Sequence, residues 1–185
     1  MSVFSSKRER FLWLCVLVCI LAIYATLGLA ATFVGIVGNE KLGIATFLLG
    51  MFLVGLTIFL QGWGLGMKKI EIAVAVGISA VYLLFFLRLT IPERSHLIEY
   101  GVVAVFIYEA LTERKRQGRQ VPFTPLLAIL LTAFIGVLDE GIQVFIPNRV
   151  FDYEDILFNL LAAVMSVLAS WILSMTRNYS RKNKF

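Results

Sequence analysis

The sequence contains few charged residues and almost no cysteine, and each shortage excludes a class of protein. Only 16% of the residues are charged whereas 59% are hydrophobic, and the mean hydropathy is +0.87. A soluble chain of 185 residues needs more polar surface than this, so we expect a protein of the lipid bilayer. Cys15 and Cys19 are the only cysteines, and their spacing within an apolar segment fits neither a disulfide framework nor a zinc-binding pattern.

The distribution of basic residues argues against nucleic acid as a partner. The net charge is +5, but the basic residues lie in short clusters between apolar segments. Such clusters orient membrane proteins, so we expect membrane lipids and no nucleic acid around this chain. The first cluster precedes an apolar run without a small-x-small cleavage site, and we therefore expect a retained helix rather than a cleaved signal peptide.

Six apolar segments, each long enough or nearly long enough to cross a bilayer, follow one another with short connections. They cover residues 11–37, 42–67, 70–89, 95–111, 125–145 and 155–175. The pattern predicts an all-α fold, a polytopic transmembrane bundle of about six helices in a single membrane domain, residues 1–185. The last segment has a small or polar residue at every third or fourth position, and this stripe should face the bundle. The stripe consists of Asp155, Asn159, Ala163, Ser166 and Ser170.

The basic residues also predict the orientation. With a cytoplasmic N-terminus, 13 of the 17 basic residues lie on the inner side. Short loops follow the positive-inside rule, so we expect both termini in the cytoplasm of a bacterial cell and a multi-pass protein of its plasma membrane. Glu109 and Glu113 lie next to the inner basic loop, where we expect them to pair with the arginines among residues 114–116.

Polar residues from three distant parts of the chain lie on the predicted outer side. They occupy the start of the fourth segment, the end of the fifth and the region where the sixth begins. At 1.5 Å per residue, those within the helices fall roughly 5–10 Å below the outer boundary, and we expect a single polar pocket open to the outside. The set is His96, Glu99, Tyr100, Glu140, Gln143, Arg149, Asp155 and Asn159. Asp139 points about 100° away from Glu140 on the helix, and the sequence leaves open whether it joins the pocket, pairs with an arginine or caps a helix.

Two stretches of this polar set resemble the VanZ-like family of small bacterial membrane proteins. One is residues 93–101, and the other is residues 140–159 with the ordered pattern E-x-x-Q, P-x-R and D-x-x-x-N. The resemblance covers about residues 93–169. It places the family's polar motif on His96, Tyr100, Glu140, Gln143, Arg149, Asp155 and Asn159. Many members have an aspartate and a lysine ahead of the histidine, where this chain has Glu93 and Arg94. The founding member is associated with low-level teicoplanin resistance, which implies a role in the cell envelope.

The leading hypothesis is an outward-facing binding site for a cell-envelope molecule. The candidates are a lipid-linked cell-wall precursor, a lipid headgroup or a glycopeptide such as teicoplanin. Arg149 would hold a phosphate or carboxylate through bidentate hydrogen bonds. Glu99, Glu140 and Asp155 would accept hydrogen bonds from amino groups or sugar hydroxyls.

The alternative is a membrane-embedded hydrolase or transferase acting on a lipid-linked substrate. His96 or Glu140 would be the general base, and Arg149 would stabilise an oxyanion. In a metal-dependent variant, a divalent cation would bind among His96, Glu99, Glu140 and Asp155, and it is the only cofactor these residues suggest. No serine or cysteine nucleophile accompanies the set. A structural or transport role stays open, although the first three segments offer almost no polar path.

Overall fold

The structure, a computed structural model, describes residues 3–27, 69–88, 91–146 and 151–182. Within these ranges the chain has five α-helices and no strands. They are α1 (Lys7–Leu27), α2 (Lys69–Arg88), α3 (Ile91–Arg116), α4 (Thr124–Gln143) and α5 (Tyr153–Lys182). The chain divides into two compact units, the first formed by residues 1–28 and 89–171 and the second by residues 29–88 and 172–185. An all-helical fold is thus confirmed for the described residues.

The helices match the predicted segments in position but not always in length. The segments 70–89 and 125–145 agree with α2 and α4 within two residues. By contrast, α3 and α5 extend beyond their apolar segments at both ends. The predicted connection at residues 90–94 is helical from Ile91 onward. Pro92 does not prevent this, because it lies in the first turn, where the backbone N–H that proline lacks would have no partner within the helix. Residues 28–37 and the segment 42–67 lie outside the described residues.

In the first unit, α3 contacts both α1 and α4. The core between these helices and the first part of α5 is built from aliphatic residues, alanines and one tyrosine, namely Val16, Ile23, Val103, Ala104, Ile107, Tyr108, Leu111, Ala128, Ala163 and Val167. Asn159, Ala163 and Ser166 are buried, so the stripe predicted on the last helix faces the bundle at these positions, while Asp155 and Ser170 are half-buried.

Two glycines set how closely α5 approaches its neighbours. A Cβ atom on Gly101 of α3 would lie 2.8 Å from the Ser166 hydroxyl oxygen. A Cβ atom on Gly136 of α4 would lie 2.9 Å from the Cβ of Asn159. Small residues at helix contacts are typical of membrane proteins, where close backbone approach replaces the hydrophobic effect as the source of helix association.

Helix α4 has the polarity of a helix in lipid rather than in water. Its buried face carries small and polar residues, namely Thr124, Ala128, Thr132, Gly136, Asp139, Glu140 and Gln143. Its exposed face carries large apolar residues, namely Leu126, Leu130, Phe134, Val137, Leu138 and Ile142. An apolar exterior of this extent is unfavourable in water and suits the hydrocarbon core of a bilayer. Among the described helices, two are long and apolar enough to cross a membrane, Thr124–Gln143 and Tyr153–Tyr179.

The second unit contains α2 and the end of α5. Two hydroxyl side chains among its described residues donate to backbone carbonyls of their own helices. The Ser79 hydroxyl donates to the carbonyl of Ala75 at 2.9 Å, and the Thr176 hydroxyl donates to the carbonyl of Ile172 at 2.9 Å. Such bonds allow hydroxyl side chains in an apolar helix without an external partner.

Ion pairs join α1 and α3 at one end of the first unit. Arg114 donates to Glu9 at 2.9 Å, while Arg8 lies 3.3 Å from Glu109 and 3.8 Å from Glu113. The sequence predicted that Glu109 and Glu113 pair with arginines among residues 114–116. That prediction is wrong for their closest ion pairs, which both form with Arg8 of α1. The reason is packing: α1 lies along α3 and brings Arg8 to these acids.

The buried carboxylate of Glu9 is stabilised in its charged form. Burial by itself would raise the pKa of Glu9. Hydrogen bonds from Ser5 and Arg114 outweigh that effect, so the pKa lies below the ordinary value of 4.5. The pKa of Glu113 is lowered as well, chiefly by hydrogen bonds from Gln117 and Ser6.

Candidate functional site

At the opposite end of the first unit, polar side chains of α3, α4 and α5 come together. His96 lies in the second turn of α3, about 25 Å along the helix axis from Glu113. Glu140 lies in the last turn of α4, and Asp155 lies in the first turn of α5. The three helix ends thus deliver one ionisable group each to the same place.

The His96 ring is held on both of its edges. Its Nδ1 atom lies 3.0 Å from the Oδ1 atom of Asn159. With the oxygen of the Asn159 amide facing the ring, this contact is a hydrogen bond that Nδ1 donates. The other ring nitrogen, Nε2, lies 3.4 Å from a carboxylate oxygen of Asp155. The ring also stacks on Tyr100, one helical turn further along α3, with centroids 6.2 Å apart.

The Glu140 carboxylate is fully buried and anchored through both oxygens. Its Oε1 accepts a hydrogen bond from the Gln143 side chain at 2.8 Å, and its Oε2 accepts one from the backbone N–H of Asp152 at 3.2 Å. The second bond ties the end of α4 to the residue just before α5. The position of Glu140 is therefore fixed by the backbone as well as by a neighbouring side chain.

His96, Glu140 and Asp155 form one cluster of potential metal-ligand atoms. One donor atom from each residue lies within 4.8 Å of the other two. His96 and Glu140 are buried, and Asp155 is half-buried. We call these three residues the acid–histidine cluster. With a neutral imidazole and both carboxyl groups ionised it carries two negative charges inside the helix bundle, an arrangement that favours a cation or a polar ligand.

Asn159 has a second, unused hydrogen-bonding group. Its side chain is fully buried, and its Nδ2 atom has no hydrogen-bond partner among the residues the structure describes. A buried donor without a partner costs about 1–3 kcal/mol. Packing offsets this cost, because the side chain of Asn159 lies close against Gly136 of α4. The same side chain orients His96 through its Oδ1 atom.

Asp139 belongs to the same polar layer. The sequence left its role open, and the structure buries it completely, near the hydroxyl groups of Tyr100 from α3 and Tyr24 from α1. Gln143 lies 3.5 Å from its carboxylate, next to the bond it makes with Glu140. The sequence analysis missed Tyr24, whose only signal was a hydroxyl-bearing aromatic residue in the first apolar segment.

The structure does not bring every predicted residue into the cluster. Glu99 is half-buried and is not one of the three clustered groups, although it acts electrostatically on Tyr100. Arg149 lies at residues 147–150, outside the described residues. The side chains of Glu93 and Arg94 are outside them too. The role assigned to Arg149 stays a prediction.

The lipid-type polarity of α4, two helices able to span a bilayer and the family match together indicate a helical membrane protein. The chain matches the VanZ/LLP1 family over residues 4–174 and belongs to that family. The matched region includes α1 and is longer than the stretch that carries the polar motif. No curated protein and no solved structure matches the chain.

Proposed function

We propose that this chain is a multi-pass protein of the bacterial plasma membrane that binds the polar headgroup of a cell-envelope molecule at the acid–histidine cluster. Both termini lie in the cytoplasm, and the cluster lies beneath the outer membrane surface. The ligand is a lipid-linked cell-wall precursor, a membrane lipid headgroup or a glycopeptide such as teicoplanin.

The observation that carries this proposal is the meeting of His96, Glu140 and Asp155 at the ends of three helices. Ionisable groups within a membrane helix bundle cost free energy, so they mark functional sites by default. Here the groups are also held in place before any ligand arrives, by Asn159 and by the backbone of Asp152. Such preorganisation lowers the entropic cost of binding.

The cluster suits a headgroup that contains hydroxyl or amino groups beside an anionic group. The carboxylates of Glu140 and Asp155 accept hydrogen bonds from sugar hydroxyls or ammonium groups. Arg149, two residues after Pro147 in the family motif, provides the expected contact for phosphate or carboxylate. Membership in the VanZ/LLP1 family and the teicoplanin link of the VanZ-like family support an envelope ligand.

The proposal is tested by measuring ligand binding to purified protein in nanodiscs. A polyprenyl-linked cell-wall precursor, phospholipids of defined headgroup and teicoplanin are offered separately, and bound ligand is read by native mass spectrometry. We expect one class to bind wild type and to be lost in Glu140→Gln and Arg149→Ala. Glu154→Gln is the matched control, because Glu154 is exposed in the first turn of α5. Equal binding by all variants would disprove the site.

A second function is favoured by the orientation of His96. An imidazole oriented through one nitrogen, as His96 is by Asn159, has its other nitrogen to take up a proton, which is how general bases of hydrolases and transferases work. Incubation of the same ligands with wild type and with His96→Gln, followed by product analysis, separates this function from binding alone. Cleaved or transferred product with wild type only would establish catalysis.

A further inference from the structure

We infer that the acid–histidine cluster is a binding site for a divalent transition-metal ion, Zn²⁺ or Mn²⁺. The ligand atoms are Nε2 of His96 and one carboxylate oxygen each from Glu140 and Asp155. The ion in turn holds an anionic group of the headgroup proposed above. That last step rests on the proposed function, whereas binding of the ion does not.

The hydrogen bond from His96 to Asn159 determines which ring nitrogen faces Asp155 and in what form. Because Nδ1 donates to Asn159, the neutral ring presents the bare lone pair of Nε2 to the Asp155 carboxylate. Two acceptors facing each other repel. The arrangement becomes favourable when a cation lies between them, either a metal ion or a second proton on the ring.

The distances distinguish these two cations. The separation of 3.4 Å between Nε2 and the Asp155 oxygen exceeds the 2.7–2.9 Å typical of a charged N–H···O⁻ hydrogen bond. Two ligands on one zinc ion, each bound at about 2.0–2.1 Å in tetrahedral geometry, lie about 3.3 Å apart. The observed separation therefore fits two ligands of one metal ion better than a direct ion pair. The third ligand atom, from Glu140, lies within 4.8 Å of the other two, so an ion placed between the three side chains is within reach of all of them.

The surroundings of the cluster are those of metal ligands in other proteins. Metal-binding histidines commonly donate their second N–H to a carbonyl or carboxylate oxygen, as His96 does to Asn159. Metal-binding carboxylates are themselves hydrogen-bonded, as Glu140 is by Gln143 and the Asp152 backbone. Asn159 lies on α5 and the N–H of Asp152 lies just before it, so the chain around the start of α5 orients both His96 of α3 and Glu140 of α4.

The ligand set selects the type of ion. Two carboxylates with one neutral imidazole carry two negative charges, which a divalent ion neutralises. A nitrogen ligand favours Zn²⁺ or Mn²⁺ over Ca²⁺ and Mg²⁺, which prefer oxygen alone. Three protein ligands leave at least one coordination position, as in catalytic zinc sites, and a phosphate or carboxylate oxygen of the headgroup fills it.

The test begins with the ion alone. Protein purified through a tag without histidine is stripped with a chelator, dialysed, and titrated with Zn²⁺, Mn²⁺ or Mg²⁺ in detergent without any envelope ligand. We expect about one Zn²⁺ or Mn²⁺ per chain, no comparable binding of Mg²⁺, and X-ray absorption that shows one imidazole and oxygen ligands at about 2.0–2.2 Å. Absence of stoichiometric binding by wild type would overturn the inference, whatever the variants do.

Variants then assign the ligands. Removal of any one ligand should weaken binding of Zn²⁺ by more than about 100-fold, which exceeds the loss expected when only a hydrogen bond to a ligand is removed. The three variants are His96→Gln, Glu140→Gln and Asp155→Asn. Glu154→Gln is the matched control, since Glu154 is exposed in the first turn of α5 and lies outside the cluster. Unchanged affinity in Asp155→Asn, or an equal loss in Glu154→Gln, would contradict the assigned site. X-ray absorption of wild type keeps the test valid if a variant does not fold.

A last measurement separates this inference from the proposed function. Headgroup binding is compared in metal-stripped and Zn²⁺-loaded wild type. Binding that requires the ion supports both proposals. Equal binding by stripped and loaded protein refutes the role of the ion in holding the headgroup and leaves the proposed function intact. Stoichiometric binding of Zn²⁺ without binding of any headgroup supports the metal site and refutes the proposed function.

Discussion

At the scale of single residues, Asn159 connects structure to function most directly. Its Oδ1 fixes the proton of His96 on Nδ1, and its buried position is fixed by Gly136. Its hydrogen bond to the cluster goes to the outer nitrogen of His96 and not to a proposed metal-binding atom, so it is a positioning residue. Its influence on the site passes through the orientation of one imidazole ring.

We expect Asn159→Ala to weaken binding at the cluster by about 10- to 100-fold, the usual effect of removing an outer contact of a metal-binding histidine. Asn159→Asp keeps an acceptor for Nδ1 and should restore most of the affinity. The measurement is Zn²⁺ and headgroup titration of each variant, with Asn178→Ala, an exposed asparagine on α5, as control. A loss in Asn159→Asp as large as in Asn159→Ala would show that the hydrogen bond to His96 is not what matters.

Glu9 carries the second prediction at this scale. Its carboxylate is fully buried and bonded to Arg114, so Glu9→Gln should lower the free energy of unfolding by about 1–3 kcal/mol at neutral pH. The pKa of Glu9 is lowered in the folded protein. The stabilisation from this group is therefore complete above its ordinary pKa of 4.5 and is lost as the pH falls through its lower folded value.

Thermal unfolding of detergent-solubilised wild type and Glu9→Gln across this pH range checks the prediction. The difference in Tm between the two proteins should be largest at neutral pH and should shrink as the pH falls below 4.5. Glu154→Gln removes an exposed carboxylate and should give a curve close to that of wild type. A difference for Glu9→Gln that is constant with pH would contradict the argument.

At the scale of elements, the contact between α4 and α5 governs the geometry of the site. Gly136 lets Asn159 approach the backbone of α4, and Glu140 lies one turn further along the same helix. A change in the spacing of the two helices therefore shifts Asn159, which orients His96, relative to Glu140. The site depends on close helix packing as much as on its own hydrogen bonds.

Gly136→Ala should reduce binding at the cluster while leaving the protein helical and inserted in the membrane. The added Cβ would lie 2.9 Å from the Cβ of Asn159, a contact that forces α5 or the side chain to shift. Gly141→Ala is the matched control on α4, because a Cβ there meets nothing within 4 Å. Circular dichroism checks the fold, and titration with Zn²⁺ checks the site. Wild-type affinity in Gly136→Ala would mean that the close contact does not position Asn159.

Residues on one helix show what could be predicted from the sequence. His96, Glu99 and Tyr100 are at positions i, i+3 and i+4, a spacing that predicts one shared helix face, but steps of 100° place Glu99 and Tyr100 on opposite sides of His96. Packing against the neighbouring helices then decides which side is buried: Tyr100 is buried near Asp139 of α4 and Tyr24 of α1, whereas Glu99 is half-buried. Periodicity fixes the face of a helix, whereas the neighbouring helix fixes which edge of that face joins the site.

The same limit explains the pairing of Arg8 with Glu109 and Glu113. Local spacing offered partners within the basic loop, and nothing in the sequence specified the register of α1 along α3. That register follows from core packing of residues such as Val16, Ile23 and Ile107. By contrast, the burial of Asn159 and Ala163 was predictable, because small and polar residues recur at helical spacing among large apolar ones.

At the scale of the molecule, the first unit has two chemically different ends. Arg8 and Arg114 pair with acids at one end, and the acid–histidine cluster lies at the other, about 25 Å away along α3. The hydrocarbon core of a bilayer is about 30 Å thick. The distance between the ends and the apolar exterior of α4 suit a unit that crosses the membrane. The excess of basic residues then predicts that the paired end faces the cytoplasm.

This orientation predicts the accessibility of two connections. Arg119 lies between α3 and α4 at the basic end, and Tyr153 begins α5 at the cluster end; both are exposed. In a background with Cys15 and Cys19 replaced by alanine, Tyr153→Cys should react with a membrane-impermeant maleimide in intact spheroplasts. Arg119→Cys should react only after lysis, because the positive-inside rule keeps its loop in the cytoplasm. The reverse pattern would place the acid–histidine cluster on the cytoplasmic side and would exclude an outward-facing envelope ligand. The proposed metal site would not be affected, because its geometry does not depend on the orientation in the membrane.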